Sequence, residues 1–242
     1  MAMDEPSIAL VTGAAHRLGR IFALTLAKHG YAILLHYHHS AKAAAATADE
    51  IRSLGGKVFT AEADITDDTQ ILNLFSKIDS LNIPLKVLIN SAARMQGTNL
   101  RNISADDWDS TFRLNLRAPF LLTKLAAERM TNGGTIINIV DAGVRKNWTS
   151  YPAYLVSKSG LETLTRLQAK TYAPSIRVNA IAPGLVLPSS DLSEEKWEGL
   201  VDHLPLKKPV TPQELASALE FLLDNGSITG QTIFIDGGLS LS

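Results

Sequence analysis

Tyr154 and Lys158 stand at i and i+4 in Tyr-Leu-Val-Ser-Lys, and Asp141 precedes them in Ile-Val-Asp-Ala-Gly. On a helix that spacing projects both side chains from one face, so the ammonium sits beside the phenol. A free tyrosine ionises near pH ~10, and a neighbouring cation stabilises the phenolate. The expectation is a tyrosine whose pKa Lys158 lowers, giving a proton donor and acceptor usable near neutrality. Asp141 narrows the substrate. An ionised carboxylate accepts hydrogen bonds and repels developing negative charge, so it suits the N–H groups of a nitrogen heterocycle better than the alkoxide formed from a ketone. Reduction of an imine places a hydride on carbon and a proton on nitrogen. Asp141 is therefore expected to bind or protonate such a ring while Tyr154, assisted by Lys158, donates the other proton. A bland alternative is an aspartate that only caps a turn after a strand.

These side chains need a rigid frame. Apolar, β-rich runs begin at Ile8, Ala32, Lys57, Leu85, Thr135, Ile176 and Gln231, separated by segments most of which are long enough for a crossover helix. Little polar alternation within the runs fits strands covered on both faces. The pattern predicts an α/β fold of the Rossmann type: one doubly wound, parallel, seven-stranded sheet with helices on both faces, spanning 1–242 as a single domain. The 242 residues are 45% hydrophobic and 19% charged, enough for one substantial core. A formal net charge of −1 without basic runs implies neither nucleic acid nor a membrane as partner, leaving small molecules. The absence of cysteine excludes disulfides and thiolate metal sites, and the acidic start is unlike a secretory leader, so a cytoplasmic protein is expected. The long irregular stretch at about 184–209, with a short helix near Glu194–Glu198, reads as a substrate loop.

The first strand runs into Thr12-Gly-Ala-Ala-His-Arg-Leu-Gly19, a turn that opens a helix. Gly13 and Gly19 permit a tight turn and close packing, and the helix N-terminus offers free amides and a positive dipole end to a pyrophosphate. Arg17 adds a positive charge. The second strand ends in His36-Tyr-His-His-Ser40, without the acid that would bond a free adenosine ribose. Arg17, His38, His39 and Ser40 supply cationic or hydroxyl donors for a 2′-phosphate, which favours NADP(H) over NAD(H). No metal is expected from the histidines, because strand alternation splits His36 and His38 from His39.

In combination these pieces resemble the short-chain dehydrogenases/reductases over essentially the whole chain. Further matches are Asp64-Ile65, Asn90-Ser-Ala-Ala93, Asn115 in Leu-Asn-Leu, Pro183-Gly184 and Ile235-Asp-Gly-Gly238. The resemblance implies that Tyr154 is the acid/base, that Lys158 holds the nicotinamide ribose, and that Asn115 positions a relay water. It also implies cofactor contacts from His16, Leu18, Tyr37, Asp64, Ile65, Asn90, Ser91, Ala92, Pro183, Gly184 and Val186, and a homotetramer built through long helices beginning near Asp106 and Tyr151. A closer likeness is to the pteridine reductases, carried by Thr12-Gly-Ala-Ala-His-Arg-Leu-Gly-Arg, His36-Tyr-His-His-Ser, Ile139-Val-Asp-Ala, Pro183-Gly-Leu, Lys196-Trp-Glu-Gly and Leu204-Pro-Leu. It implies NADPH-dependent reduction of a pterin or dihydropterin, with Arg17, Arg94, Asp141, Tyr154 and Leu185 toward substrate. One departure is Arg94, where that subgroup carries an aromatic residue that stacks on the pterin; a guanidinium plane can stack too, or meet an acidic tail. Trp148 and Trp197 are other candidates for the stacking surface. A carbonyl reductase for a 3-oxoacyl or sugar-like ketone, and a non-catalytic NADP sensor, are the rival readings.

Overall fold

A computed structural model describes residues 6–189 and 192–241; the acidic first residues and positions 190–191 of the expected substrate loop lie outside the described residues. Seven parallel strands form one sheet: β1 (Ile8–Val11), β2 (Ala32–Tyr37), β3 (Val58–Glu62), β4 (Leu85–Asn90), β5 (Gly134–Ile139), β6 (Ile176–Pro183) and β7 (Thr232–Ile235). Their order is β3-β2-β1-β4-β5-β6-β7, so the winding reverses between β1 and β4. In an open parallel sheet, that reversal leaves a crevice at the carboxyl ends of the strands, where ligands bind.

Helices cover both faces because successive strand side chains point opposite ways. From β1, Ala9 and Val11 enter a core with Phe22 and Leu26 of α1 (Arg17–Lys28), Ile51 of α2 (Ala41–Ser53), and Leu215 and Leu219 of α8 (Pro212–Asp224). Ile8 and Leu10 enter the opposite core with Leu74 and Phe75 of α3 (Asp68–Ser80) and Leu122 of α5 (Ala118–Arg129). Helix starts follow their caps: the Asp67 carboxylate accepts the Thr69 N–H at 2.8 Å, and Thr211 with Glu214 closes a capping box on α8.

The helix expected near Asp106 is α4 (Ala105–Phe112), which runs through a π turn (Arg113–Arg117) into α5. The one expected near Tyr151 is α6 (Pro152–Tyr172), 21 residues long. The stretch expected to be irregular carries α7 (Glu194–Asp202) and is tied down at its end: Val210 N–H donates to the Leu185 carbonyl at 2.8 Å, and Leu206 N–H to that of Gly237 at 3.1 Å. Among the described residues no helix is long and apolar enough to cross a membrane.

Candidate active site

The cleft over the reversal point has a volume of about 600 Å³. Its walls are the loop from β1 to α1 (Gly13, His16, Arg17, Leu18, Gly19), the end of β2 (Tyr37, His38, His39, Ser40), Asp64 and Ile65 after β3, and Ser91, Ala92 and Arg94 after β4. Thirteen of the expected cofactor residues thus meet in one place, drawn from four strand ends. Gly13 has a φ of +63°, and a Cβ on Gly19 would lie 2.2 Å from the Gly13 carbonyl oxygen, so only glycine closes this turn. Thr12 clamps the opposite wall, its hydroxyl accepting from Ser91 N–H at 2.9 Å and Ala92 N–H at 3.1 Å.

Arg17 is an exposed residue at the first turn of α1, yet its side chain is engaged. It is a non-glycine residue at φ +50°, and its two terminal nitrogens donate to the carbonyls of Leu187 (2.8 Å) and Pro188 (2.9 Å). The guanidinium so bridges the nucleotide loop to the chain after β6. His38 and His39 stack at 3.5 Å between ring centroids, both exposed at the mouth of the cleft. Beside them, burial pushes the Asp64 carboxyl up, but the N–H and hydroxyl of Thr66, with His38 and His39, outweigh it and hold the pKa below the usual range.

Six expected cofactor residues lie outside this lining: Tyr154 and Lys158, at the end of β5 and the start of α6, and Asn90, Pro183, Gly184 and Val186. Asn90 is buried, and its amide nitrogen donates to Asn138 Oδ1 at 2.8 Å and Thr123 Oγ1 at 3.3 Å, so its side chain braces β4 against β5 instead of facing a nucleotide. Pro183 is the last residue of β6. Gly184 N–H donates to the Ile235 carbonyl at 2.9 Å, and Val186 is packed in the core with Ile181 and Val210. Leu185 acts here through its carbonyl on Val210.

The proton-handling residues meet at the ends of β5 and the start of α6. Tyr154 Oη donates to Asp141 Oδ2 at 2.6 Å. The other carboxylate oxygen accepts the Gly143 N–H at 2.7 Å, capping the 3-10 turn Ala142–Arg145, so Asp141 is a cap and a phenol partner at once. A Cβ on Gly143 would lie 2.6 Å from the Trp148 ring and 2.8 Å from Asp141, which places that indole over the same turn. Lys158 is 2% exposed, donates to the Ile139 carbonyl at 2.6 Å, and lies 5.8 Å from the centroid of the Tyr154 ring.

That geometry corrects the expected tuning of the tyrosine. Burial and then the Asp141 carboxylate raise Tyr154 well above its ordinary pKa, and Lys158 does not offset them. The phenol therefore holds its proton near neutrality. Burial raises Asp141 too, opposed by the bonds from Tyr154 and Gly143 and by the Lys158 charge. Burial lowers Lys158 to about 8, opposed by Asp141.

Asn115, fully buried in the π turn, clips the loop after β4: its Oδ1 accepts Arg94 N–H at 2.9 Å, and its amide nitrogen donates to the Arg94 carbonyl (2.9 Å) and Ser157 Oγ (3.1 Å). The Arg94 guanidinium turns to Ser110 (2.8 Å), Asp107 (3.1 Å) and Gln96, so the fork expected to stack on substrate or meet an acidic tail is engaged by its own chain. Thr12, Ser157 and His36 stand inside the motifs quoted above, but their motifs gave them no role of their own. The imidazole of His36 accepts the Gly13 N–H at 3.2 Å and meets the Ala63 carbonyl at 2.9 Å. Its signal was a polar residue closing an apolar run, Ala32 to Leu35, that is buried on both faces. Among the described residues no cluster of side chains could hold a metal.

The family described as Enoyl-(Acyl carrier protein) reductase matches residues 13–240. The 1-cyclohexenylcarbonyl-CoA reductase of Streptomyces collinus is 32% identical, covering 98% of this chain and 88% of its own. A 3-oxoacyl-[acyl-carrier-protein] reductase of Synechocystis is also 32% identical, covering 96% of both. Among solved structures, the FolM alternative dihydrofolate reductase 1 of Brucella suis, in complex with NADP, superposes with a TM-score of 0.93 at 33% identity, covering 100% of this chain and 97% of that one.

Proposed function

The chain belongs to the short-chain dehydrogenase/reductase family of oxidoreductases, and from that footing we propose that it is an NADPH-dependent reductase of a pterin or dihydropterin. The cleft fits the cofactor on its own terms. It offers the start of α1 to a pyrophosphate, presents Arg17, His38, His39 and Ser40, and carries no acid at the end of β2 that would repel a 2′-phosphate. Bound there, NADPH supplies the hydride. The observation that carries the substrate reading is the 2.6 Å bond from Tyr154 to Asp141. A carboxylate stands beside the phenol, where ketone reduction calls for a hydroxyl donor to the developing alkoxide. Asp141 accepts ring and amino N–H groups of the heterocycle, and Tyr154, protonated throughout the physiological range, delivers the proton to ring nitrogen. Lys158 keeps a positive charge under that exchange and holds the nicotinamide ribose. The FolM likeness supports the same reading.

The rival reading is a carbonyl reductase, favoured by the acyl-thioester names of the sequence relatives. NADPH oxidation measured with dihydrobiopterin, dihydrofolate and dihydromonapterin beside an acetoacetyl thioester separates the two: turnover of pterins supports the proposal, and turnover confined to the thioester sinks it. Tight NADPH binding without turnover of any carbonyl or pterin would favour a sensor.

We also propose a homotetramer. Phe112, Leu116, Phe120, Val156, Leu164 and Leu167 line a mostly apolar groove along α4, α5 and α6, with Leu167 61% exposed. That face fits a second copy laid helix against helix, and native mass spectrometry gives its stoichiometry directly.

A further inference from the structure

We propose that His36 is the positioning residue of the nucleotide loop, a buried imidazole whose two nitrogens fix the loop to the neighbouring strand end and so hold it in the form that binds NADPH. The inference rests on the cofactor reading above but not on the substrate.

His36 is the penultimate residue of β2 and is 2% exposed. Both leading amides of the loop end on it: Gly13 N–H donates to Nδ1 at 3.2 Å, and Ala14 N–H to the His36 carbonyl at 2.9 Å. The remaining ring nitrogen faces the Ala63 carbonyl at 2.9 Å, just before Asp64 and Ile65 of the opposite wall. An amide can only donate and a carbonyl only accept, so the two bonds select one neutral tautomer, with the proton on Nε2. Burial supports that state by lowering the pKa to about 4; the titratable groups that face the ring are His38 at the mouth of the cleft and Asp64 after β3. One side chain therefore spans three strand ends, β1 through Gly13, β2 through itself and β3 through Ala63. Gly13 holds a φ of +63° and, if it carried a Cβ, would press on Ala92 at 2.9 Å. A loop this tightly placed needs its amide anchored, and His36, at the wall of the same cleft, is where it is anchored.

The ring nitrogens can be tested separately because two amides mimic them. His36→Asn keeps an acceptor near Nδ1 for the Gly13 N–H, whereas His36→Gln reaches toward Nε2 and keeps only the donor to Ala63. Leaving a buried N–H without a partner costs enough for roughly a tenfold change in an equilibrium. We expect the Gln variant to bind NADPH roughly tenfold more weakly in fluorescence titration, and the Asn variant to lie within about threefold of wild type. The Gln variant's kcat at saturating NADPH stays near the wild-type value, since the nicotinamide end is untouched. Histidine ¹⁵N shifts in the free protein should report an Nε2–H tautomer. Equal NADPH affinity in the Gln variant and wild type, an Asn variant no better than Gln, or a loss of kcat with an unchanged KM would overturn the proposal. If Gln unfolds, the Asn affinity and the tautomer signature still decide it. A wild type that fails to bind NADPH at all would instead sink the cofactor reading.

Discussion

Two halves of the site, the nucleotide cleft and the catalytic residues at the end of β5, each bury one basic side chain against a backbone carbonyl near a strand end: His36 on Ala63 in the first, Lys158 on Ile139 in the second. Burial depresses both, the histidine from 6.5 to about 4 and the lysine from 10.5 to about 8. The displacement is similar and the outcome opposite. His36 starts near neutrality and ends uncharged, a prop with one fixed tautomer. Lys158 starts far above neutrality and ends just above it, still cationic, with Asp141 as the charge that opposes its desolvation. Where a buried base begins on the pH scale decides whether the protein gains a scaffold or a working charge.

The largest effect that tests this contrast comes from removing the opposing charge. Lys158 is protonated below about 8, so kcat/KM, which reports the free enzyme, should be level near neutrality and fall as pH rises through about 8. In Asp141→Asn the Coulombic support for the ammonium is gone, the alkaline limb moves to lower pH, and pterin turnover at pH 7 drops roughly 10²-fold or more with the loss of a proton-handling group. A limb that stays in place would show that Asp141 does not hold the lysine charged, and the two halves would no longer differ in the way described.

A smaller effect belongs to the other half. Above pH ~6.5 His36 is neutral in folded and unfolded chains alike and contributes nothing to the pH dependence. As pH falls from 6.5 toward about 4 the unfolded chain takes up a proton that the folded one refuses, so stability is lost across that window. The displacement corresponds to about 3 kcal/mol as an upper bound. Urea unfolding at pH 7 and at pH 4.5 should show a gap that narrows in His36→Asn, whose amide does not titrate. An unchanged gap would mean that the ring is charged or accessible in the folded state.

Much of this was written in the chain. The seven strands and their parallel winding follow from apolar runs and crossover lengths, and the Tyr154–Lys158 pairing from helical spacing. The sign of the Tyr154 shift was not legible, because spacing places a cation nearby but says nothing of how deeply the phenol is buried or how close Asp141 stands to it. His36 stood out only as a polar residue at the end of an apolar run; its partner Gly13 lies 23 positions away, and those of Arg17 170 and 171 positions away. The partners of the Arg94 guanidinium were hidden for a related reason, since Asp107 and Ser110 reach it only once α4 folds against the loop after β4. Residue type and local spacing reveal chemistry; long-range hydrogen bonds decide which groups remain free to perform it.

The smallest effect is the one that separates His36 from the packing behind it. The loop opens α1, and α1 packs against α8 through Phe22 and Leu26 on one side and Leu215 and Leu219 on the other. Those leucines are steadied by the capping box in which Thr211 accepts Glu214 N–H at 3.2 Å and Glu214 returns to Thr211 N–H at 2.8 Å. Thr211→Ala removes the hydroxyl half of that exchange and should cost about 1 kcal/mol, read as a Tm lower by about 2–4 °C. If His36 sets the loop from within the cleft, NADPH affinity and kcat remain at wild-type values, because the cap loosens α8 without altering either nitrogen of the imidazole. A several-fold weaker NADPH affinity in Thr211→Ala would mean that the loop takes its form from α1 resting on α8, and that the histidine follows the loop instead of holding it.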